Sequence, residues 1–311
     1  MNTVTAWAPG SVSNVSSGFD VLGFAIEEPG DRVTATREDA TGVRITEVRG
    51  DDGRLPRGAE ENTAGVAARQ LLARRGDPFG VSLILEKGMP LASGLGSSAA
   101  SAVAALVAVD ALFESPTPRE VLLRCAMEGE RIACGTGHAD NVAPSLYGGF
   151  VLVRGRGESV RVDSLPVPPE LWCAVVHPHL EVPTREARSK LPDRVALADA
   201  VAQAGNVAAL VAGLAVGDTE LLASGIEDRF AEPVRTDAVP GFAAAKAAAG
   251  DAGACGCGLS GSGPTMFAFA PDRSAAEHVA VAMREALARA GAGDGTDLWI
   301  SRVGVPGARV L

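Results

Sequence analysis

A glycine- and serine-rich segment is the first part of the sequence whose residue types could do chemistry. It reads Pro90-Leu91-Ala92-Ser93-Gly94-Leu95-Gly96-Ser97-Ser98-Ala99-Ala100-Ser101. Two glycines allow a tight turn that approaches a ligand closely, and serines can cap a following helix. The N–H groups at a helix start, with its partial positive charge, bind anions. The segment therefore predicts a phosphate-binding loop, although an ordinary strand–loop–helix connection with a serine cap would use the same residues.

Two other glycine-rich motifs that bind nucleotides have part of this pattern. The pattern Gly94-x-Gly96-x-x-Ala99 fits a dinucleotide fingerprint, which should open the first βαβ unit and precede an acidic residue by about 20 positions. Here the pattern begins beyond residue 90, and the next acidic residue, Asp110, falls inside the predicted helix. A Walker loop requires Gly-Lys-Ser/Thr after the glycines, and these residues do not follow. Both motifs are therefore disfavoured.

Two further segments extend the pattern towards both ends of the chain. They read Ala8-Pro9-Gly10-Ser11-Val12-Ser13-Asn14-Val15-Ser16-Ser17-Gly18-Phe19-Asp20 and Gly258-Leu259-Ser260-Gly261-Ser262-Gly263-Pro264-Thr265. Together with the phosphate loop they resemble the three motifs of the GHMP kinases, in the family's order and rough spacing. The resemblance implies an α+β, two-domain GHMP-kinase fold that binds ATP. Its ATP-binding N-terminal domain, residues 1–165, would be like ribosomal-protein S5 domain 2, and its C-terminal domain, residues 166–311, would be ferredoxin-like.

Smaller patterns are similar to the homoserine-phosphorylating members of that family. They are Gly137-His138-Ala139-Asp140-Asn141-Val142-Ala143-Pro144 before Gly148-Gly149, Thr184-Arg185-Glu186-Ala187-Arg188 before Leu191-Pro192, and Glu232-Pro233-Val234-Arg235. Taken singly, they could be a helix cap, a solvated helix face and a surface loop. Their shared order implies ATP-dependent phosphorylation of L-homoserine to O-phospho-L-homoserine, a step in threonine biosynthesis.

The resemblance also implies an amino-acid site. A guanidinium suits a carboxylate because it donates two parallel hydrogen bonds. Arg188 and Arg235 would hold the homoserine carboxylate, with Arg185 as the alternative to Arg188, and Asp20 would pair with the ammonium. The implied substrate-binding residues are Asn14, Asp20, His138, Asn141, Thr184, Arg188, Arg235 and Gly261.

The implied nucleotide and metal site lies at the glycine-rich loop. Magnesium prefers hard oxygen ligands, and Ser98 and Glu130 match the family's metal positions, with Glu128 as the competitor of Glu130. The implied ATP-binding residues are Pro90, Leu91, Ala92, Ser93, Gly94, Leu95, Gly96, Ser97, Ser98, Ala99, Ala100, Asn62 and Lys87, and the implied catalytic residues are Asn141, Arg235, Glu130 and Ser98.

Activation of the acceptor hydroxyl depends on a choice between two adjacent residues. Asn141 stands where mevalonate-type kinases carry an aspartate, and an amide orients a hydroxyl without accepting its proton. Since adjacent helix residues point about 100° apart, we expect Asn141 and not Asp140 to face the substrate, and no side-chain base to act. The first motif also departs from the family at Ser16, where glycine is usual, and at Val15, where leucine is usual. The aim of Asn14 therefore depends on the backbone at Ser16.

The surrounding elements must position these segments. Residues 80–86 alternate as a strand before the loop, and 98–113 read as the helix after it. Further strands are predicted over 3–7, 32–36, 43–48, 148–153, 172–176, 265–270 and 297–303. Further helices are predicted over 62–75, 118–133, 195–216 with a break near Gly205, 242–249 and 275–290. The Pro-rich stretch 165–169 is the candidate linker.

Composition limits the other classes of function. The 311 residues carry a net charge of -10 and no basic run, which argues against nucleic-acid binding. No signal peptide is visible, and the apolar stretch 98–113 is too short to cross a membrane. Five irregularly spaced cysteines favour free thiols over zinc. We expect a cytoplasmic enzyme, with a homodimer possible from the family.

Three other functions remain open from the sequence. Another GHMP kinase of the mevalonate type would have no use for the paired arginines. A nicotinamide-dependent oxidoreductase would bind NADH through Gly94–Ala99 and would not bind ATP. A non-catalytic regulator would not need Ser98, Glu130 and Arg235 together.

Overall fold

The computed structural model describes residues 2–292 and 295–311, apart from the side chains of residues 133 and 134. Its strands are β1 (Thr3–Ser13), β2 (Leu22–Glu38), β3 (Val43–Arg49), β4 (Gly80–Glu86), β5 (Phe150–Arg154), β6 (Arg161–Leu165), β7 (Trp172–Pro178), β8 (Cys257–Leu259), β9 (Met266–Ala270), β10 (Thr296–Arg302) and β11 (Arg309–Val310). Its helices are α1 (Thr63–Arg74), α2 (Ser97–Asp110), α3 (Arg119–Cys134), α4 (Ala139–Tyr147), α5 (Thr184–Ser189), α6 (Leu197–Val216), α7 (Thr219–Ser224), α8 (Glu232–Arg235), α9 (Phe242–Asp251) and α10 (Arg273–Arg289).

The first sheet has seven strands and is covered by the first four helices. The strand order is β11-β1-β2-β4-β3, and β5 pairs with both β2 and β6. Only β3 and β4 run parallel, while the other pairs described here are antiparallel. Helix α2 packs against β1, β2, α1 and α3. Its alanine-rich sequence keeps it thin enough to be buried between layers.

The second sheet is smaller and antiparallel. Its strand order is β10-β7-β9-β8, and α10 packs on it together with α9. Aromatic rings join the two sheets: the ring centroid of Phe24 on β2 lies 6.2 Å from that of Phe267 and 5.5 Å from that of Phe269, both on β9. Within the first sheet, the ring of Phe24 stacks on that of Phe150 at 5.4 Å. The predicted α+β class is confirmed. The domain boundary at residues 165/166 stays a prediction, and β11 returns from the second half of the chain to pair with β1.

The predicted elements differ from the observed ones in length and in the short pieces. Strand β1 continues beyond Trp7 to Ser13, and the helix predicted over 98–113 ends at Asp110. Helix α6 runs without the predicted break at Gly205. A single glycine destabilises a helix by only about 1 kcal/mol, and no other group packs closely on the helix at this position. The short elements β6, α7, α8, β8 and β11 were not predicted, since each has too few residues to show a periodic pattern.

Helix α6, and not only the stretch 98–113, is a long apolar segment. It has 20 residues and a mean hydropathy of 1.4 over its most apolar window, enough by length and composition to cross a membrane, and 22% of that window is buried. A single helix of this kind is weak evidence for a membrane span. Among the cysteines, Cys125, Cys173 and Cys257 are buried free thiols and Cys255 is a half-buried one, whereas the side chain of Cys134 lies outside the described residues.

Candidate active site

A cavity of about 450 Å³ collects residues from distant parts of the chain. The loop after β1 lines one side of the cavity, and the phosphate loop with the start of α2 lines another. The start of α4, helix α5, the end of α8 and the turn at Gly261 complete the wall. Most of the residues predicted for the site line this single cavity. Four do not, namely Pro90, Leu95, Ala99 and Ala100, and the last three are buried in the core beneath the loop.

The two glycines of the phosphate loop are required by close contacts. Gly94 and Gly96 have φ angles of 82° and 67°, which side-chain-bearing residues rarely adopt. A Cβ at Gly94 would lie 2.5 Å from the carbonyl oxygen of Ser260. A Cβ at Gly96 would lie 2.5 Å from Ser11 Oγ and 2.8 Å from Asn141 Oδ1. The loop is therefore held tightly between the other two motifs, with the first turn of α2 directly after it.

Lys87 and Asn62 line the cavity, and both are hydrogen-bonded to other groups of the protein. The ammonium of Lys87 contacts the Asp31 carboxylate, and it donates to the Ser97 carbonyl at 2.9 Å and to Ser101 Oγ at 2.7 Å. Both charged side chains are nearly fully buried. Asn62 caps α1 by accepting from Ala64 N at 3.0 Å. Lys87 therefore holds the start of α2, and Asn62 holds the start of α1.

Ser98 and Glu130 come together where α2 begins and α3 passes behind it. Burial raises the pKa of Glu130 to about 7, while a hydrogen bond from Ser98 and the charge of Lys87 act in the opposite direction. A hydroxyl and a carboxyl side by side provide the hard oxygen donors that magnesium prefers. The residues present therefore fit a magnesium ion. Glu128, the competitor, is instead exposed and paired with Arg131 at 3.2 Å.

Charged groups dominate the opposite end of the cavity. Arg188 donates to both carboxylate oxygens of Asp20, at 2.9 and 2.6 Å. Arg235 is 5% exposed and donates from one terminal nitrogen to the Gly261 carbonyl at 2.8 Å. Asn14 donates to the same carbonyl at 3.0 Å. The first motif, the third motif and α8 thus meet at Gly261.

Arg235 retains an unused donor. No hydrogen-bond partner of its Nε is found among the described residues, although this atom is buried. Burial lowers the pKa of Arg235, while the charges of Asp20 and Asp228 act in the opposite direction. A buried guanidinium without a full set of acceptors is costly in an isolated protein. Because Arg235 lines the cavity, an anionic ligand there would lie beside its positive charge.

The start of α4 bears on the choice between two adjacent residues. Asp140 and Asn141 both line the cavity, and which of them faces the acceptor hydroxyl stays a prediction. Their surroundings differ, because the cavity wraps around the first turn of the helix. Asp140 lies towards the charged end with His138 and Asp20, and the nearest ring nitrogen of His138 is 4.0 Å from its Oδ1. Asn141 lies towards the phosphate loop and accepts from Ser11 Oγ at 3.3 Å.

The ionisable groups of α4 have perturbed pKa values. Burial raises the pKa of Asp140 to about 7, and the neighbouring charge of Asp20 acts in the same direction. Burial likewise lowers the pKa of His138, and Asp20 opposes this. His138 also contacts Thr136 Oγ1 at 2.8 Å. A cationic ligand group at this end of the cavity would favour the ionised form of the Asp140 carboxyl.

The departure from the family pattern at Ser16 has a structural counterpart. Asn14, Val15 and Ser16 have φ angles of 66°, 47° and 55°, so three consecutive side-chain-bearing residues adopt left-handed backbone. Glycine would meet this requirement without strain. The loop is nonetheless fixed, because Asn14 Oδ1 accepts from Asp20 N at 3.0 Å. The side chain of Asn14 is therefore held in a fixed orientation with serine at position 16.

Several residues at or beside the cavity were not predicted. Phe19 does not line the cavity but stands between the arginines, with Arg188 at 5.6 Å and Arg235 at 5.4 Å from its ring centroid. It lies inside the first motif, so its position next to Asp20 was the available signal. Three missed lining residues also lie inside the motifs, namely Ser13, Ser101 and Ser262. The others lie where no local pattern marked them; they are Arg54, Leu55, Pro56, Glu61, Thr63, Leu85 and Pro183.

Comparisons with known proteins agree with this geometry. The family model "GHMP kinases N terminal domain" matches residues 62–149, and "GHMP kinases C terminal" matches 207–289. The homoserine kinase of Chloroherpeton thalassium is 46% identical, with both chains covered in full. The homoserine kinase of Chlorobaculum tepidum is 44% identical over 100% of this chain and 99% of that one.

Solved structures show the same relationship. The crystal structure of homoserine kinase from Cytophaga hutchinsonii has a TM-score of 0.96 and 48% identity, covering 100% of this chain and 98% of that chain. The L. major mevalonate kinase structure, at 15% identity and a TM-score of 0.65 over 98% and 96% of the two chains, shares the fold. The predicted GHMP-kinase fold is confirmed. This chain belongs to the GHMP kinase family, among its homoserine kinases.

Proposed function

We propose that this protein is an ATP-dependent kinase that phosphorylates the side-chain hydroxyl of L-homoserine, giving ADP and O-phospho-L-homoserine on the route to threonine. The observation that carries the proposal is that one cavity joins a phosphate loop to a pair of arginines and a pair of buried carboxyls. The first end suits the polyphosphate of ATP, and the second suits an amino-acid zwitterion.

Recognition of the amino acid follows from the charges at that end. Arg235 has an unused buried donor, and Arg188 presents a guanidinium already oriented by Asp20. The substrate carboxylate would bind between these arginines, while its ammonium would bind at the carboxyls of Asp20 and Asp140. Thr184, whose Oγ1 lies 3.5 Å from Ser262 Oγ, would complete this end. A mevalonate-like substrate has a carboxylate but no ammonium, so it would offer no cationic group to the buried carboxyl of Asp140.

ATP would be bound through the loop of residues 90–100 and the first turn of α2. Backbone N–H groups of the loop and the helix start would hold the phosphate oxygens. Ser98 and Glu130 would hold magnesium, which supplies neutralisation of phosphate charge when bound. Lys87 would contribute indirectly by holding the Ser97 carbonyl at the start of α2, and Asn62 would contribute indirectly by capping α1.

Phosphoryl transfer then needs positioning more than proton abstraction. The substrate hydroxyl oxygen forms a bond to the γ-phosphorus, the bond from that phosphorus to the ADP oxygen breaks, and the hydroxyl proton leaves late in the step. Asn141, close to the loop at Gly96, would orient the hydroxyl with its amide. Because an amide is not a base, we propose that the phosphoryl group itself accepts the proton.

The test is ADP release from ATP and Mg²⁺ with homoserine, threonine, mevalonate and galactose as separate acceptors. We expect L-homoserine to have the highest kcat/KM. A tenfold or greater preference for mevalonate or a sugar, a threshold that separates substrates by about 1.4 kcal/mol, would reject the homoserine assignment within the family. Tight NADH binding without ATP binding would reject the kinase. The cytoplasmic location and the homodimer stay predictions.

A further inference from the structure

A single glutamine on the apolar helix α6 lies behind the charged end of the cavity. The buried residues of α6 are Gln203, Leu210, Gly213 and Leu214, so Gln203 is the polar one among them. It is 4% exposed. A buried amide is expensive unless its donors and acceptor are all used. The contacts of Gln203 therefore show what this residue does.

Both N–H donors and the carbonyl oxygen of the Gln203 amide are hydrogen-bonded. Its Nε2 donates to the Ser17 carbonyl at 2.6 Å and to Asp228 Oδ1 at 3.0 Å, and its Oε1 accepts from Arg229 N at 2.7 Å. Only this orientation satisfies the site, because the first two partners are acceptors and the third is a donor. The amide thus joins the loop after β1 to the segment before α8.

Asp228, which accepts a hydrogen bond from Gln203, also binds the backbone at the start of α8. Its carboxylate accepts from the backbone of Phe230 at 2.8 Å, Ala231 at 3.1 Å and Glu232 at 2.8 Å. These bonds fix the start of the helix that ends at Arg235. On the other side, Ser17 lies three residues before Asp20, within the same loop. One bridge therefore runs from the ammonium-binding carboxylate to the carboxylate-binding arginine.

We propose that Gln203 and Asp228 are positioning residues that set the separation between Asp20 and Arg235, and so match the cavity to the spacing of the ammonium and carboxylate of an α-amino acid. Neither residue lines the cavity, so both act through others. The inference rests on the proposed function, because it assigns a role in binding homoserine. It predicts an effect confined to the amino-acid substrate, since the bridge does not contact the phosphate loop.

The experiment compares two amide-to-apolar variants one helical turn apart. Gln203→Met removes the bridge and keeps the side-chain length. Asn206→Leu is the matched control, because Asn206 donates only to the Glu227 carbonyl at 2.8 Å in an exposed position. For Gln203→Met we expect the KM for homoserine to rise roughly tenfold, as loss of a buried hydrogen-bonded link predicts, while the KM for ATP and kcat change less than about threefold. The control should leave all three within about twofold.

The outcomes separate the inference from the proposed function. A wild-type enzyme that does not use homoserine rejects the proposed function. A folded Gln203→Met variant with an unchanged homoserine KM, or with equal increases in both KM values, rejects the inference. If Gln203→Met does not fold, hydrogen exchange of the wild type decides. Homoserine should slow exchange at the amides of Arg229, Phe230, Ala231 and Glu232, and no slowing there would overturn the bridge.

Discussion

Replacing the buried arginine of the amino-acid site should separate catalysis from stability. The change is Arg235→Leu. Arg188 cannot take over the substrate carboxylate in full, because both its terminal nitrogens already donate to Asp20 at 2.9 and 2.6 Å. Removing one partner of a desolvated charge pair costs about 2–5 kcal/mol. We therefore expect kcat/KM for homoserine to fall roughly 30-fold to several-thousand-fold, with ATP binding nearly intact.

The same variant should not lose stability. Arg235 makes one hydrogen bond to Gly261, and its buried Nε lacks a described partner. Burial lowers its pKa, which means that the folded protein disfavours the charge. Since Leu removes a poorly paired buried charge, Tm should stay equal or rise. A matched control is Arg229→Leu, whose exposed guanidinium pairs with Glu227 at 2.9 Å.

The assay is ADP release at varied homoserine and at varied ATP, with Tm measured on the same preparations. The control should change kcat/KM by less than about twofold, as expected for an exposed ion pair. A fall of less than threefold for Arg235→Leu would show that this arginine does not bind the substrate carboxylate. A large drop in Tm together with the activity would show that it is structural instead.

Three further predictions concern Glu130, α4 and the first motif. Because burial raises the Glu130 pKa to about 7, and magnesium needs the ionised form, a Mg²⁺ titration should give about tenfold weaker affinity at pH 6 than at pH 8. Glu130→Gln should abolish that pH difference. It should also raise Tm more at pH 8 than at pH 5, because a carboxyl whose pKa is raised in the folded state destabilises the fold at pH values above its unfolded-state pKa of 4.5. Asn141→Ala should lower kcat substantially, whereas Asp140→Asn should retain most of it; loss of turnover together with an acidic pKa in Asp140→Asn would identify a base. Ser16→Gly should raise the free energy of unfolding by about 1 kcal/mol in urea titrations, because it relieves left-handed backbone, and a lower value would contradict the strain.

Local chemistry made part of this site predictable. The phosphate loop is contiguous, and its glycines, serines and following helix act within a dozen residues, so its position could be inferred from the sequence. The arginines could be named only through resemblance to a family, since nothing local distinguishes Arg188 from Arg185. Their partners could not be predicted, because Asp20 and Arg188 are 168 residues apart in sequence. Ser17 and Gln203 are likewise 186 residues apart.

Short elements account for the remaining differences. Helix α4 has nine residues and α8 has four, and both are held by tertiary hydrogen bonds more than by their own periodicity. Asp140 and Asn141 both line the cavity, because a concave cavity can enclose both directions at the start of a helix.

The return of β11 to β1 has a consequence for synthesis of the chain. Ala6 and Trp7 pair with Val310 and Arg309, so one edge of the first strand gains its neighbour only after about 300 further residues have been synthesised. Until then the nascent chain presents an open strand edge beside a large apolar sheet, the kind of surface that chaperones bind and that promotes aggregation. The phosphate loop and α2 can form early, since they lie near β4 in sequence, but the sheet beneath them stays incomplete. The first sheet is therefore completed only after residues 309 and 310 have been synthesised, long after its other strands.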